Sequence, residues 1–270
     1  MAVKLIAFDF DDTLLDSEKK IPKRNLEAIS RAREAGIILV PASGRLIQSQ
    51  TRYLEEMAIS GPVITCNGAQ VIDTVTGESL FESDVAYEDV CKVLVLAKEW
   101  SLYTQLYRSG EVYYDTYCSY SEYYERTADI RGSAVGDLEA FAEKEKLNSQ
   151  KILMIDTPER VAEVLPILQK ELPQLMVMTS RANFIEINNP AANKGAALQA
   201  IAERYGFTRD EVMAIGDSGN DRSMLEYAGQ SVAVGNAKPE IKALCRYIAP
   251  DCEEGGVGIA IDRWALGLEV

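Results

Sequence analysis

The sequence predicts an α/β protein: a doubly wound parallel sheet formed by residues 1–83 and 190–270, interrupted by an α+β insert over 84–189. Three observations carry this. Short, almost continuous apolar runs recur at Val3–Phe8, Ile38–Ala42, Val63–Cys66 and Val212–Ile215, as parallel strands covered on both faces require. Stretches with helical spacing separate these runs. In the middle of the chain strands instead follow one another across tight turns at Ser109-Gly110 and Arg181-Ala182, the mark of antiparallel hairpins.

In chain order, the first strand is followed by a helix over Pro22–Ala35, with Leu26, Ile29 and Ala32 on one face, Pro22 near its start and Gly36 past its end, the usual asymmetry of helix termini. A second strand ends at Ala42, a helix runs Leu46–Ile59, a third strand spans Val63–Cys66, and Val71–Ser83 reads as a hairpin turning near Thr76-Gly77. The insert reads as a helix (Tyr87–Trp100), strands (Leu102–Tyr107, Glu111–Asp115), a helix (Asp137–Lys146), a strand (Lys151–Asp156), a helix (Pro158–Leu172) and strands (Leu175–Ser180, Asn183–Asn188). Alternation then resumes: helix Asn193–Tyr205, strand Val212–Ile215, helix Asp221–Ala228, strand Ser231–Val234, helix Lys238–Cys245 and a last helix near Val257–Leu268. The joints near Asp84 and Asn189-Pro190 are short, which suits a hinge.

Composition narrows the chemistry. A net charge of −14 argues against nucleic acid and anionic membranes as partners, because both select basic surfaces. Five scattered cysteines without a CxxC spacing point to reduced thiols rather than a disulfide framework or a zinc site, and so to the cytoplasm. The absence of histidine removes Ser-His-Asp, Cys-His and His-metal chemistry. Carboxylates, Lys, Arg, hydroxyls, thiols and a hard metal remain.

The strand tips hold those groups. The first strand runs into Asp9-Phe10-Asp11-Asp12-Thr13, the second into Ser43-Gly44-Arg45, the third into Asn67-Gly68-Ala69, and Val212–Ile215 into Gly216-Asp217-Ser218-Gly219-Asn220-Asp221; Asn193-Lys194-Gly195 opens a helix. Ligands of open α/β sheets bind beyond such carboxyl ends. Taken singly, each stretch reads as a turn, a helix start or a solvated lysine. Neither acidic stretch has the Gly and Glu positions of a calcium loop, and no dinucleotide or P-loop glycine pattern occurs.

As a set, in this order and across nearly the whole chain, these motifs resemble the haloacid dehalogenase (HAD) superfamily, specifically its Cof-type phosphatases, in which a large cap is inserted after the second motif of a Rossmann-like core. The resemblance implies a Mg²⁺-dependent phosphatase of small phosphorylated metabolites, a sugar phosphate or similar, acting through an aspartyl-phosphate. It casts Asp9 as nucleophile and Asp11 as acid/base. Asp9 and Asp217 would ligate the metal through carboxylates and Asp11 through its backbone carbonyl. Ser43, Lys194, Asn220 and the backbone N–H groups of Phe10 and Gly44 would hold phosphoryl oxygens, with Asp221 orienting Lys194 or a metal-bound water. The chemistry is consistent: a carboxylate approaching a phosphate is repelled by about 4 kcal/mol per charge pair at ~4 Å and an effective dielectric of ~20, and a hard cation offsets this. Two positions depart from the family: Asp12 stands where glycine is common, and Ser43 where threonine is common. A phosphosugar mutase, which shares the nucleophile and the acid/base Asp, is the alternative. A monomer and a homodimer both remain open. Eight of thirteen tyrosines fall between Tyr103 and Tyr124, as strand and core residues of the insert or as the lining of a substrate pocket with Arg108, Arg126 and Arg181.

Overall fold

The computed structural model describes residues 2–128 and 130–269. Strand β1 (Leu5–Phe8), helix α1 (Lys23–Glu34), β2 (Ile38–Pro41), α2 (Ile47–Met57), β3 (Pro62–Thr65), β4 (Gln70–Asp73) and β5 (Ser79–Glu82) come first. Next are α3 (Tyr87–Glu99), β6 (Tyr103–Arg108), β7 (Glu111–Tyr114), α4 (Ser119–Ala128), β8 (Ser133–Ala134), α5 (Leu138–Glu145), β9 (Lys151–Ile155), α6 (Pro158–Glu171), β10 (Met176–Arg181) and β11 (Phe184–Asn188). The chain closes with α7 (Lys194–Tyr205), β12 (Val212–Gly216), α8 (Arg222–Tyr227), β13 (Gln230–Ala233), α9 (Pro239–Lys242), β14 (Tyr247–Ile248) and α10 (Gly256–Ala260).

The chain divides into two compact units, Met1–Phe81 with Asn193–Val270, and Glu82–Ala192. The first unit holds a parallel sheet in the order β14-β13-β12-β1-β2. β1 is central: Phe8 pairs with Ile215 on one side and Pro41 on the other. All four residues of β1 are buried, as a strand sandwiched between helix layers must be. This order brings the tips of three sequence-distant strands side by side, carrying Asp9, Asp217 and the Ala42-Ser43 turn. β3, β4 and β5 form a separate small sheet, tied to the main one by a parallel bridge between Ala42 and Ile64.

The second unit has a six-stranded sheet, β10-β11-β9-β6-β7-β8, antiparallel except for the β7–β8 pair. Its core joins Leu106, Ile152, Met154, Ile185 and Ile187 to Val93, Leu94, Val164 and Leu168 of helices α3 and α6. Tyrosines of α4 pack on the sheet: Tyr120 against Tyr103, and Tyr124 against Tyr107 and Phe184.

Several elements differ from the sequence expectation, the two-residue strand β8 among them. α4 falls where none is expected, because its tyrosines favour strand by propensity while its buried positions, Ser121 and Tyr124, lie one helical turn apart. The expected Lys238–Cys245 helix shortens to α9, and the chain then forms the unforeseen edge strand β14. The last helix is α-helical to Ala260 and continues as one π-helical turn over Ile261–Ala265, and Gly267 is left-handed (φ 69). All five cysteines are free thiols. No helix among the described residues is long and apolar enough to cross a membrane.

Candidate active site

Beyond β1 the chain makes a wide turn, closed by the Leu14 amide donating to the Asp9 carbonyl (3.2 Å) and the Leu15 amide to that of Phe10 (2.9 Å). Inside it Asp11 is extended (φ −72, ψ 126) and Asp12 left-handed (φ 59, ψ 15). Aspartate is among the few side chains that tolerate this region, and glycine adopts it freely; both the usual glycine and the aspartate at this place therefore have a backbone reason. Asn236 Nδ2 holds the Asp12 carbonyl at 2.5 Å. Phe10 is buried, its ring against Tyr53, so only its backbone can serve the site.

Lys194, the first residue of α7, is fully buried between two carboxylates: its ammonium lies 2.5 Å from Asp9 Oδ1 and 2.7 Å from Asp221 Oδ1. α7 is capped by Asn193, whose side chain accepts from the Ala196 amide at 2.9 Å. Asp221 Oδ2 takes the backbone N–H groups of Asp217 (3.0 Å) and Ser218 (3.1 Å), so the loop after β12 folds around this carboxylate. A Cβ on Gly216 would fall 2.6 Å from the Asp221 side chain, which excludes any larger residue there. Thr13, buried and given no role by the sequence, donates its hydroxyl to Asp217 Oδ1 at 2.8 Å.

The electrostatics are unbalanced. Burial raises the pKa of Asp9 well above its ordinary value, as does the charge of Asp221, with Lys194 opposing. Burial likewise pushes Asp217 up to about 7, reinforced by Asp221 and opposed by the Thr13 hydroxyl. Burial disfavours the charge of Lys194, but Asp221 and Asp9 outweigh it and raise its pKa.

The Asp11 carboxylate is held by two cations. Arg45 grips both its oxygens, at 2.9 and 2.6 Å, and Lys19 lies 3.2 Å away. Burial alone would raise its pKa, but these cations hold it below the usual carboxylate range. Lys19 comes from a bend eight positions on and Arg45 from one 34 positions on, and nothing in the local pattern announces the pairing.

Ser43 is buried and its hydroxyl accepts from the Arg45 amide at 3.2 Å. The exposed Asn220 takes the Ser218 hydroxyl on its oxygen (2.6 Å) and donates to Asn67 Oδ1 at 3.1 Å. Asn67 also packs on Gly44: a Cβ there would stand 2.9 Å from its amide. The fold thus gathers Asp9, Lys194, Asp217 and Asp221 in one group, ties Ser43, Gly44 and Asn220 together through Asn67, and turns the Asp11 side chain toward Arg45 and Lys19.

Carboxylate oxygens of Asp9, Asp217 and Asp221 lie within 4.8 Å of one another. An all-oxygen set in which burial raises the pKa values of Asp9 and Asp217 fits a hard divalent cation, which would supply the missing positive charge.

Comparison with known proteins agrees in extent and fold. Residues 6–261 match the family described as haloacid dehalogenase-like hydrolase. The chain is 30% identical to 5-amino-6-(5-phospho-D-ribitylamino)uracil phosphatase YcsE of Bacillus subtilis, over 98% of this chain and 96% of that protein. Among solved structures it resembles TM0651 of Thermotoga maritima (TM-score 0.90, 26% identity, 97% of each chain). A haloacid dehalogenase-like hydrolase of Bacteroides thetaiotaomicron is also similar (TM-score 0.87, 30% identity, 97% of this chain and 99% of that one). With a match to the family over most of its length and the parallel sheet bringing Asp9, Lys194 and Asp217 together, the chain belongs to the haloacid dehalogenase-like hydrolase family.

Proposed function

We propose that this protein is a Mg²⁺-dependent phosphatase of small phosphorylated metabolites, working through an aspartyl-phosphate on Asp9. The observation that carries the reading is the buried Asp9–Lys194–Asp221 bridge beside Asp217, at the end of the central strand. Lys194 occupies Asp9 Oδ1, which leaves Oδ2 to attack phosphorus. Thr13 occupies Asp217 Oδ1, so Asp217 Oδ2, the non-attacking Oδ1 of Asp9 and the Asp11 backbone carbonyl are suited to hold the metal. When bound, the metal offsets the repulsion between carboxylate and phosphate.

In the first half-reaction the Asp9–phosphorus bond forms, the ester P–O bond breaks, and the leaving oxygen takes a proton from Asp11. In the second, water attacks the phosphorus, Asp11 receives its proton, and Asp9 and orthophosphate are released. Arg45 and Lys19 favour the anionic Asp11, the form needed as base in the second half; delivering a proton in the first requires the carboxylate to part from Arg45. Ser43, the Gly44 and Phe10 amides, Lys194 and Asn220 would hold the phosphoryl oxygens.

The similarity to a phosphatase named for a phosphoribitylamino substrate supports phosphorylated sugars and sugar alcohols as the first substrates to assay. The test is orthophosphate release from such a panel with and without Mg²⁺, followed by acid quench of ³²P-labelled enzyme. The expected label is stable in acid, lost in alkali, and absent from Asp9→Asn. Turnover without any protein-bound label, or label mapping to another residue, overturns the mechanism.

A further inference from the structure

We infer that Asn67 is a positioning residue that holds the phosphoryl-binding groups in register; the inference rests on the phosphatase reading above. The turn after β3 is left-handed at three successive residues: Cys66 (φ 49), Asn67 (φ 56) and Gly68 (φ 95). Only glycine adopts this region freely, and such strain persists where the surroundings over-determine it.

Three backbone hydrogen bonds do so: the Cys66 amide donates to the Arg45 carbonyl (3.1 Å), the Asn67 amide to that of Ser43 (3.0 Å), and the Ser43 amide to that of Ile64 (3.1 Å). The turn is thereby locked to the Ser43-Gly44-Arg45 segment. On its next residue it meets another element. A Cβ on Gly68 would fall 2.2 Å from the Asn193 carbonyl and 2.7 Å from the Lys194 nitrogen, so the Gly68 backbone lies directly on the start of α7. The Asn67 side chain reaches a third: it covers Gly44 and accepts from Asn220 Nδ2 at 3.1 Å. One strained turn therefore touches the carriers of Ser43 and Gly44, of Lys194, and of Asn220. Asn220 is exposed, and an exposed amide turns freely unless tied; Ser218 ties its oxygen and Asn67 its nitrogen.

Asn67→Gly separates the two things Asn67 supplies, because glycine keeps the left-handed backbone and removes the amide. With Mg²⁺ present, the affinity for inorganic phosphate, read by calorimetry, should fall roughly tenfold on loss of this hydrogen bond. The melting temperature should not fall. In an Asn220→Ala background the same substitution should change phosphate affinity by less than about twofold, since coupled residues are non-additive. Should the glycine variant not fold, Asn67 serves the fold rather than the site, and the inference is overturned. Unchanged phosphate affinity in Asn67→Gly, or losses at positions 67 and 220 that multiply, overturn the inference. A wild-type protein that binds no phosphate overturns the phosphatase reading itself, and this inference with it.

Discussion

Lys194 and Asp9 stand 185 positions apart in the chain and 2.5 Å apart in space, with neither side chain more than 6% exposed. Removing the cation leaves Asp9 and Asp221 buried without their shared partner, which typically destabilises by about 3–5 kcal/mol. Lys194→Met should lose stability on that scale in urea melts and lose phosphatase activity entirely. Adding Asp9→Asn should restore part of the stability, because one stranded charge is gone. A loss below about 1 kcal/mol in the single variant, the range of exposed pairs, would show that the bridge contributes little to the fold.

Asp9→Asn alone should remain folded, since burial and Asp221 already work against the charge it removes. Its activity should vanish, the amide being a far poorer nucleophile. A purified variant keeping a tenth of wild-type turnover would exclude Asp9 from covalent chemistry.

Thr13→Val keeps shape and removes the hydroxyl that orients Asp217. Partners that orient metal ligands are worth about 10- to 100-fold in metal affinity, so, on the metal role proposed above for Asp217, the dissociation constant for Mg²⁺ should rise by that factor. Calorimetric titration with Mg²⁺ in the absence of substrate checks this; unchanged affinity would mean that Asp217 holds its orientation without help.

Asp84 offers a separate pH test. Its Oδ1 is buried without a hydrogen-bond partner among the described residues. Burial raises its pKa to about 6, Glu82 adding to the shift and Arg108 opposing it. The folded value lies above the unfolded one of about 3.9, so its contribution to stability is complete below that value and lost as pH rises through about 6. Asp84→Asn should accordingly melt higher than the wild type at pH ~8 and equally at pH ~4. A difference independent of pH would show that the Asp84 charge is satisfied.

The tips of the parallel strands were legible because their information is local: an apolar run of four or five residues, then a carboxylate, hydroxyl or amide. β1, β2 and β12 follow from such runs, whereas their order in the sheet shows only in the fold. α4 was not legible, since Tyr120, Tyr123 and Tyr124 carry strand propensity and its helical period shows only in which of its residues are buried. Within the site, apart from Asp221 with Lys194, which the resemblance implies, residue types could be named but not their pairings. That Arg45 takes Asp11, that Thr13 takes Asp217 and that Asn67 takes Asn220 depend on side chains 34, 204 and 153 positions apart, and no local pattern encodes such distances.

The central place of β1 sets an order of events during synthesis. Its neighbours are β2, made soon after it, and β12, which emerges only after the whole Glu82–Ala192 unit has been translated. Until Lys194 and then residues 212–216 arrive, the Asp9 carboxylate lacks its lysine and one edge of β1 its neighbouring strand. The inserted unit, contiguous in sequence and with its own core, can fold first, while long-range parallel pairing comes late. A nascent chain halted before Asn193 would thus present a finished insert and an unfinished catalytic unit, its most apolar strand still open to other chains.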